Sequence, residues 1–380
     1  MDDNDDMLEK IQEYLESTNN ELVKATKLKH GILHSEITLE LQSFCDVSKI
    51  EKSLVGLPFY VKCHTPILTS SPTTGSFRLL IPNDEIKTVK FNKSKARDSS
   101  KIFIGAKDDG SDLYLNLTWG SHVLLAGATG SGKSMLIHTM IQSLLSSGGT
   151  NIIFLDPKRV ESQVYEGIYG VQTAHSINQI NHTLKEVKTW VNNRYAVMAK
   201  TNTRDAIDAW YKSYASGRWD YEDVRPTILI IDEIADLFND SKEAKNSILV
   251  LSSKARAAGL RIILATQRPD SKIIDGAIKA NFTTRICLKT SSRVDSRIVL
   301  GVAGAEHLLG RGHGLLMPPT GELIPFQGAY VDPITMSMRS HDKPISFRLN
   351  EEKGNNRIIN EDLANVAQSL TDDIPDWIDE

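Results

Sequence analysis

Cysteine is scarce in this chain of 380 residues: Cys45, Cys63 and Cys287 are odd in number, scattered and without CxxC spacing, so neither a disulfide framework nor a zinc site is indicated. They read as buried reduced thiols. Long apolar runs are missing too. Stretches such as Ile228–Ile231 and Ile262–Ala265 fall far short of the roughly 18 to 20 residues that cross a bilayer. The N-terminus opens on Asp2, Asp3, Asp5 and Asp6, where a secretory signal would be basic and then apolar. No membrane segment is expected, and the location expected is cytoplasmic. Nor is there a net positive charge, the total being −4. That average is uneven: residues 1–16 and 351–380 together carry −13, which leaves the middle at +9 and able to meet phosphates.

What is present has order along the chain. Met7, Leu8, Ile11, Tyr14, Leu15 and Leu22 are spaced as on an amphipathic helix running from Met7 to about Lys29, so 1–30 is expected to be an acidic N-terminal helix. Between 31 and 92, alternating stretches such as Ile37–Leu41 and Phe77–Ile81 predict a small α+β domain. The polar stretch 93–100 is the expected linker. From 101 to 335, apolar runs at 122–126, 151–155, 228–231, 261–265 and 284–288 alternate with helical spacing at 134–145, 177–200 and 242–258. Strand, helix, strand in that order predicts an α/β fold with a parallel sheet covered on both faces. Residues 336–380 turn polar and then acidic, a tail that is either solvated or a docking peptide for a protein partner.

Gly127-Ala128-Thr129-Gly130-Ser131-Gly132-Lys133-Ser134 is a complete G-x-x-x-x-G-K-S loop between an apolar strand and an amphipathic helix. Glycines let main-chain N–H groups turn inward onto phosphate oxygens, and the helix N-terminus adds partial positive charge. Lys133 is expected to reach the β- and γ-phosphates of ATP, and Ser134 to ligate Mg²⁺. About a hundred residues on, the strand Ile228–Ile231 ends in Asp232 and Glu233, a Walker B pattern. Asp232 would hold the Mg²⁺ shell and Glu233 would take the proton of an attacking water. A third strand ends in Thr266-Gln267, where Gln267 is placed to sense the γ-phosphate unless the pair merely closes the strand.

The sequence resembles the motor domain of the FtsK/SpoIIIE family of DNA translocases over most of its length. The likeness rests on His122–Ser134, Leu155–Lys158, Val164–Gly167, Asp232–Leu237, Lys254–Leu260, Leu264–Pro269, Ile278–Asn281, Ser291–Arg297 and Gly304–Gly310, in the family's order. It implies a P-loop NTPase with a RecA-like parallel sheet, and a compact version of the small domain that stacks on the ATPase ring. Arg256 matches the arginine finger that reaches a neighbour's γ-phosphate, and Arg285 is a second interface candidate, with a surface salt bridge as its alternative. Arg268, Lys279, Arg293 and Arg297 fall in segments that touch the DNA backbone, where flexible cations hold phosphates without reading bases. The family's N-terminal membrane helices and C-terminal winged-helix domain have no counterpart in this sequence. The expectation is therefore a soluble hexameric motor on double-stranded DNA, of the kind a phage, plasmid or integrative element would encode. A protein-export ATPase, a strand-separating helicase and a non-hydrolysing scaffold stand as alternatives.

Overall fold

The structure, a computed structural model, describes residues 3–18, 20, 22–41, 47–71, 76–85, 87–96, 98, 100–116, 120–147, 150–206 and 226–332. Cys45 and the acidic tail lie outside them. Apolar spacing at Leu8, Ile11 and Leu15 gives the helix α1 (Asp3–Ser17), with Ile11 and Leu15 fully buried. The helix expected out to residue 29 is corrected. Asn20 N bonds back to Leu15 O at 2.9 Å and closes α1, and the next element is strand β1 (Val23–His30), antiparallel to β2 (His34–Leu41). Lys24, Lys27 and Lys29 face solvent while the strand gains a hydrogen-bonding partner, which outweighs helix propensity. A bulge between Ala25 and Lys27 breaks the two-residue alternation and hides the strand from a periodicity reading.

Helices α2 (Val47–Ser53) and α3 (Leu57–Val61) lead into β3 (Ile67–Ser71) and β4 (Ser76–Pro82), completing an antiparallel sheet in the order β1-β2-β4-β3. Its apolar face and the helices enclose a small core that includes Ile11, Leu15, Ile37, Ile50, Leu57 and Leu79. After β5 (Val89–Lys90), the stretch expected as a linker is docked over its described residues. Asn92 caps a single turn at Lys93–Lys95, Lys95 pairs with Asp112 at 2.6 Å, and Ala96 is buried.

The remainder forms β6 (Lys101–Lys107), β7 (Asp112–Asn116), β8 (Val123–Ala126), α4 (Lys133–Ser147), β9 (Asn151–Leu155), β10 (Val171–Ala174), α5 (Ile177–Thr201), β11 (Thr227–Ile231), α6 (Ile234–Asp240), α7 (Lys242–Lys254), β12 (Leu260–Thr266), α8 (Gly276–Asn281), β13 (Thr284–Leu288), α9 (Arg293–Leu300), β14 (His313–Met317) and β15 (Ile324–Tyr330). The strands make one sheet in the order β10-β9-β11-β12-β8-β13-β14-β15-β6-β7, with β5 beside β15. Pairing is parallel from β10 through β13 and antiparallel from β13 to β7, whereas β5 lies parallel to β15. Each face of the parallel part buries its own apolar cluster, which is why these strands read as unbroken apolar runs. Helix α7 ends at Lys254, four residues before the expected limit, because Leu260 N closes onto Ala255 O at 3.1 Å and Gly259 turns the chain at φ 79°.

The two sheets are fastened together. Ile67 and Leu80 of the small sheet join the larger core beside Ala305 and Leu315. Asp108 accepts main-chain hydrogen bonds from Leu33 at 2.7 Å and His34 at 3.0 Å, and Arg78 pairs with Glu322 at 3.1 Å. His34 and His313 meet Nε2 to Nε2 at 3.0 Å with neither exposed. Cys287 is buried and Cys63 only half-buried. Among the described residues, no helix is long and apolar enough to cross a membrane.

Burial lowers two histidines, His122 to about 4 and His313 to about 3, with Arg261 beside the first and His34 beside the second acting in the same direction. A lowered folded value means that the unfolded chain binds more protons as pH falls below the ordinary 6.5. Stability is full above that point and is lost progressively toward pH 4, by up to about 1.4 kcal/mol per pH unit per histidine. Denaturant titrations between pH 7 and 5 should show this slope, and His313→Gln should flatten it; an unchanged slope in the variant would contradict the assignment.

Candidate active site

Parallel strands β9, β11, β12 and β8 bring their C-terminal ends to one edge of the sheet, and the sequence hangs its polar motifs there. The loop 127–132 leaves β8 and is tied by its backbone: Gly127 N to Thr266 O at 3.2 Å, Ala128 N to Lys289 O at 2.8 Å, and Gly312 N to Ser131 O at 2.7 Å. Gly132 is required twice over, since its φ is 101° and a Cβ there would lie 2.5 Å from Gly312 N. Helix α4 then starts at Lys133 with its N-terminus opening onto the loop.

Lys133 is buried, and its Nζ donates to Asp232 Oδ1 at 2.6 Å and to Asp232 O at 3.1 Å. Glu233, only 4% exposed, receives three donors. Thr266 Oγ1 gives one at 2.6 Å, Gln267 N one at 2.9 Å, and Ala235 N one at 3.4 Å as Glu233 caps α6. Gln267 turns its side chain to the loop, where Oε1 accepts from Thr129 Oγ1 at 3.2 Å. The structure thus brings Gly127–Ser134, Asp232, Glu233 and Gln267 together, with Thr266 as an additional clamp on Glu233.

Three polar residues near this edge have no role that the sequence pattern assigns. Asp156, at the end of β9 and fully buried, accepts from the main chain of Lys158, Glu161 and Ser162 at 2.9 to 3.1 Å and folds the loop after that strand. Lys158 reaches Asp236 at 2.9 Å, a bond that raises its pKa, with Glu233 and Asp232 adding to the effect. Glu161 accepts from His138 Nε2 at 2.9 Å, and this bond, seconded by one from Ser134, holds its carboxyl at about 2. The signal available is position: Asp156-Pro157-Lys158 succeeds the strand next to β11, where a ligand edge is expected.

Hydroxyl and carboxylate oxygens are hard donors that suit Mg²⁺. Among the described residues no group of three or more His, Cys, Asp or Glu could hold a metal by itself, so such an ion would share its coordination with substrate phosphates.

The remaining candidates lie elsewhere. Arg256 is exposed on the turn between α7 and β12, at the far end of β12 from Gln267 and about 20 Å away by the rise of that strand. Its turn is held by buried donors. Arg194 Nη1 donates to Ala258 O at 2.7 Å while stacking 3.6 Å over the Trp190 ring, Arg261 Nη1 donates to Arg256 O at 2.7 Å, and Ala206 N donates to Ala257 O at 2.8 Å. Arg285 donates from its guanidinium to the carbonyls of Phe282, Val299 and Lys279 at 3.0 to 3.3 Å, so it fastens the C-terminal ends of α8 and α9 and makes no salt bridge among the described residues. Arg268 is exposed just beyond β12, and Lys279 is half-buried on α8. Arg293 and Arg297, exposed on α9, share the carboxylate of Glu51 from α2, Arg297 at 3.6 Å.

Comparison with known proteins gives these features a context. The sequence model of the FtsK/SpoIIIE family matches residues 86–271. DNA translocase FtsK of Bacillus cereus is 32% identical over 324 residues, covering 80% of this chain and 40% of that protein. DNA translocase SpoIIIE of Bacillus subtilis is 32% identical over 326 residues with the same coverage. The chain therefore spans about 40% of the length of these curated relatives. Among solved structures, the pCW3 conjugation coupling protein TcpA, in its monomer form with ATPγS, is similar at 20% identity and a TM-score of 0.62, over 87% of this chain and 96% of that one. The cytoplasmic domain of the type VII secretion ATPase EccC of Thermomonospora curvata is similar at 21% identity and a TM-score of 0.60, over 70% of this chain and 34% of that one. These likenesses show the fold, that of an α/β P-loop ATPase with a small N-terminal β-rich domain.

The clamp on the Arg256 turn yields a test. Arg194→Met removes a charged donor from a buried carbonyl and should cost about 2 kcal/mol. Amide exchange over residues 257–260 should accelerate in the variant; protection equal to the unaltered protein would show that Arg194 does not hold the turn.

Proposed function

The chain belongs to the FtsK/SpoIIIE family, and from that premise we propose that it hydrolyses ATP to drive double-stranded DNA through a hexameric ring. The observation that carries this reading is the convergence of Lys133, Ser134, Asp232, Glu233 and Gln267 at one strand edge.

In this reading the loop amides and Lys133 hold the β- and γ-phosphates, and Ser134 and Asp232 hold Mg²⁺, which supplies charge neutralisation between those phosphates when bound. Glu233 accepts a proton from the attacking water, whose oxygen bonds to the γ-phosphorus as the bond to the β-phosphate bridging oxygen breaks, leaving ADP and phosphate. Thr266 and the Gln267 amide fix the Glu233 carboxylate for that task, so it undergoes no reorientation at the moment of reaction. Gln267 senses the γ-phosphate and, through Thr129, is coupled to the loop that holds it.

Arg256 stands about a strand's length from its own pocket. An arginine there is out of reach of its own pocket, which supports catalysis at a seam between subunits. Its turn is anchored at the backbone while the side chain is exposed, the arrangement a fixed positive charge presented to a neighbour requires. Arg268, Lys279, Arg293 and Arg297 would grip DNA phosphates, with Glu51 tying two of them to the small domain. The motor would work in the cytoplasm on transfer, packaging or segregation of DNA from a mobile element or phage, with a protein partner at residues 336–380. The conjugation role named for TcpA, a fold neighbour over nearly its whole length, supports that context.

ATP turnover measured with and without linear duplex DNA tests the proposal, coupled to triplex displacement as a readout of movement. Duplex DNA should stimulate turnover and displace the third strand. Stimulation by a secreted polypeptide but not by DNA would favour protein export, the process named for the neighbour EccC, and release of a labelled strand would favour a helicase. Lys133→Ala should abolish hydrolysis, whereas Arg256→Ala should bind nucleotide yet lose DNA-stimulated turnover. Mixing the two variants should restore part of the activity, because one supplies the pocket and the other the arginine; no recovery would rule out a shared site.

A further inference from the structure

We propose that Arg311 is a specificity-determining residue of the nucleotide pocket: its guanidinium packs on the face of the nucleobase, at the end of the phosphate loop away from Glu233 and Gln267. The inference rests on the nucleotide-pocket reading of 127–134 and goes beyond it by assigning the base contact to a residue outside every motif of that pocket.

The order of the strands sets the direction of a bound triphosphate. Glu233 and Gln267 follow β11 and β12, which lie on one side of β8 and its loop, and in the reading above they face the γ-phosphate. A triphosphate that crosses the loop from there carries its nucleoside to the other side, where β13 and β14 lie. Strand β13 runs parallel to β8, and β14 antiparallel to β13, so the end of β13 and the start of β14 come to the same edge as the loop. Lys289 succeeds β13 at that edge, and Gly310-Arg311-Gly312 leads into β14.

The backbone of Arg311 is held against the loop. Gly312 N donates to Ser131 O at 2.7 Å, and the carbonyl carbon of Arg311 lies 3.2 Å from where a Cβ on Gly132 would stand. Buried Gln327 donates from Nε2 to Arg311 O at 2.7 Å, and Gly328 N donates to Gly312 O at 2.8 Å. These bonds fix Arg311 at φ 53°, a left-handed conformation that is unfavourable for a residue with a Cβ and free for glycine. The side chain is exposed, and among the described residues no hydrogen bond or ion pair takes up its guanidinium. A planar cation on a rigid backbone at the nucleoside end suits an aromatic base, because guanidinium offers a flat face for stacking as well as a charge. Lys289, also exposed, has its Cδ 3.7 Å from the position of a Cβ on Gly310 and adds a second positive charge to this rim, which favours an anionic ligand.

The test is calorimetric titration of the full chain with ATPγS and with inorganic tripolyphosphate, both in Mg²⁺, for the unaltered protein, Arg311→Gly and Arg311→Lys. The unaltered protein should bind ATPγS more tightly than tripolyphosphate, which lacks the nucleoside. Arg311→Gly removes the side chain where the backbone already suits glycine, so the fold of the loop is kept. That variant should bind ATPγS about fivefold more weakly and tripolyphosphate with unchanged affinity. Arg311→Lys keeps the charge and loses the plane, so it should restore little of the difference. Equal affinity of the unaltered protein for the two ligands, an equal loss for both in Arg311→Gly, no loss for either, or full recovery in Arg311→Lys would each overturn the assignment while leaving the pocket reading intact. Binding of neither ligand by the unaltered protein would remove the pocket reading, and this assignment with it.

Discussion

The buried pair of Lys133 and Asp232 is the contact on which the site depends. Two opposite charges 2.6 Å apart and almost inaccessible to water hold each other in place, because removing either leaves a bare charge in a medium that solvates it poorly. Lys133 opens α4 and Asp232 comes directly after β11, so this contact fixes the phosphate loop to the end of a strand two places away in the sheet. Strand β12, lying between β11 and β8, closes the gap: Thr266 O accepts from Gly127 N, while Thr266 Oγ1 and Gln267 N donate to Glu233. Loop, acid pair and Gln267 are thereby one hydrogen-bonded object, and each restrains the others.

That object is joined to the small N-terminal sheet through Gly312 and His313. Gly312 N bonds Ser131 O at 2.7 Å beneath the phosphate loop, and His313, the next residue, meets His34 of the small sheet. Leu309 N donates to His313 Nδ1 at 3.3 Å, so the imidazole carries its proton on Nε2, toward His34 Nε2. Both rings are buried, and burial keeps His313 from taking a second proton at neutral pH. With Ile67 packed into the main core and Glu51 holding Arg293 and Arg297, the small N-terminal domain touches both the segment next to the phosphate loop and the helix proposed for DNA contact.

Legibility tracks the range of the interactions. The strands 151–155 and 284–288 are readable to the residue, because strands buried on both faces are written as apolar runs bounded by polar ends. The loop 127–134 is equally plain, since phosphate chemistry fixes both residue type and spacing. Residues 18–30 read as helix because a bulge erases the alternation and because the partner that stabilises β1 lies beyond a turn. Residues 93–100 resemble a linker by composition, yet Lys95 pairs with Asp112 on a distant strand and Ala96 is buried, which no local pattern points to. Glu161, His138 and Arg194 carry ordinary residue types at unremarkable spacing, and their importance comes from what the fold sets against them.

The sequence by itself determined the chemistry: a phosphate-binding loop, an acid pair on a strand, a polar amide on the next, and the α/β alternation that puts them on parallel strands. These come from local rules, in which a side chain's type and its neighbours along the chain suffice. Only the tertiary structure decided how the groups are engaged. It gave Lys133 to Asp232, Glu233 to Thr266 and Gln267, and Glu161 to His138, and it placed Arg256 at the far end of β12 from its own pocket. Partner choice depends on which strands become neighbours and how far apart their ends lie, and those distances are set by packing across the whole sheet.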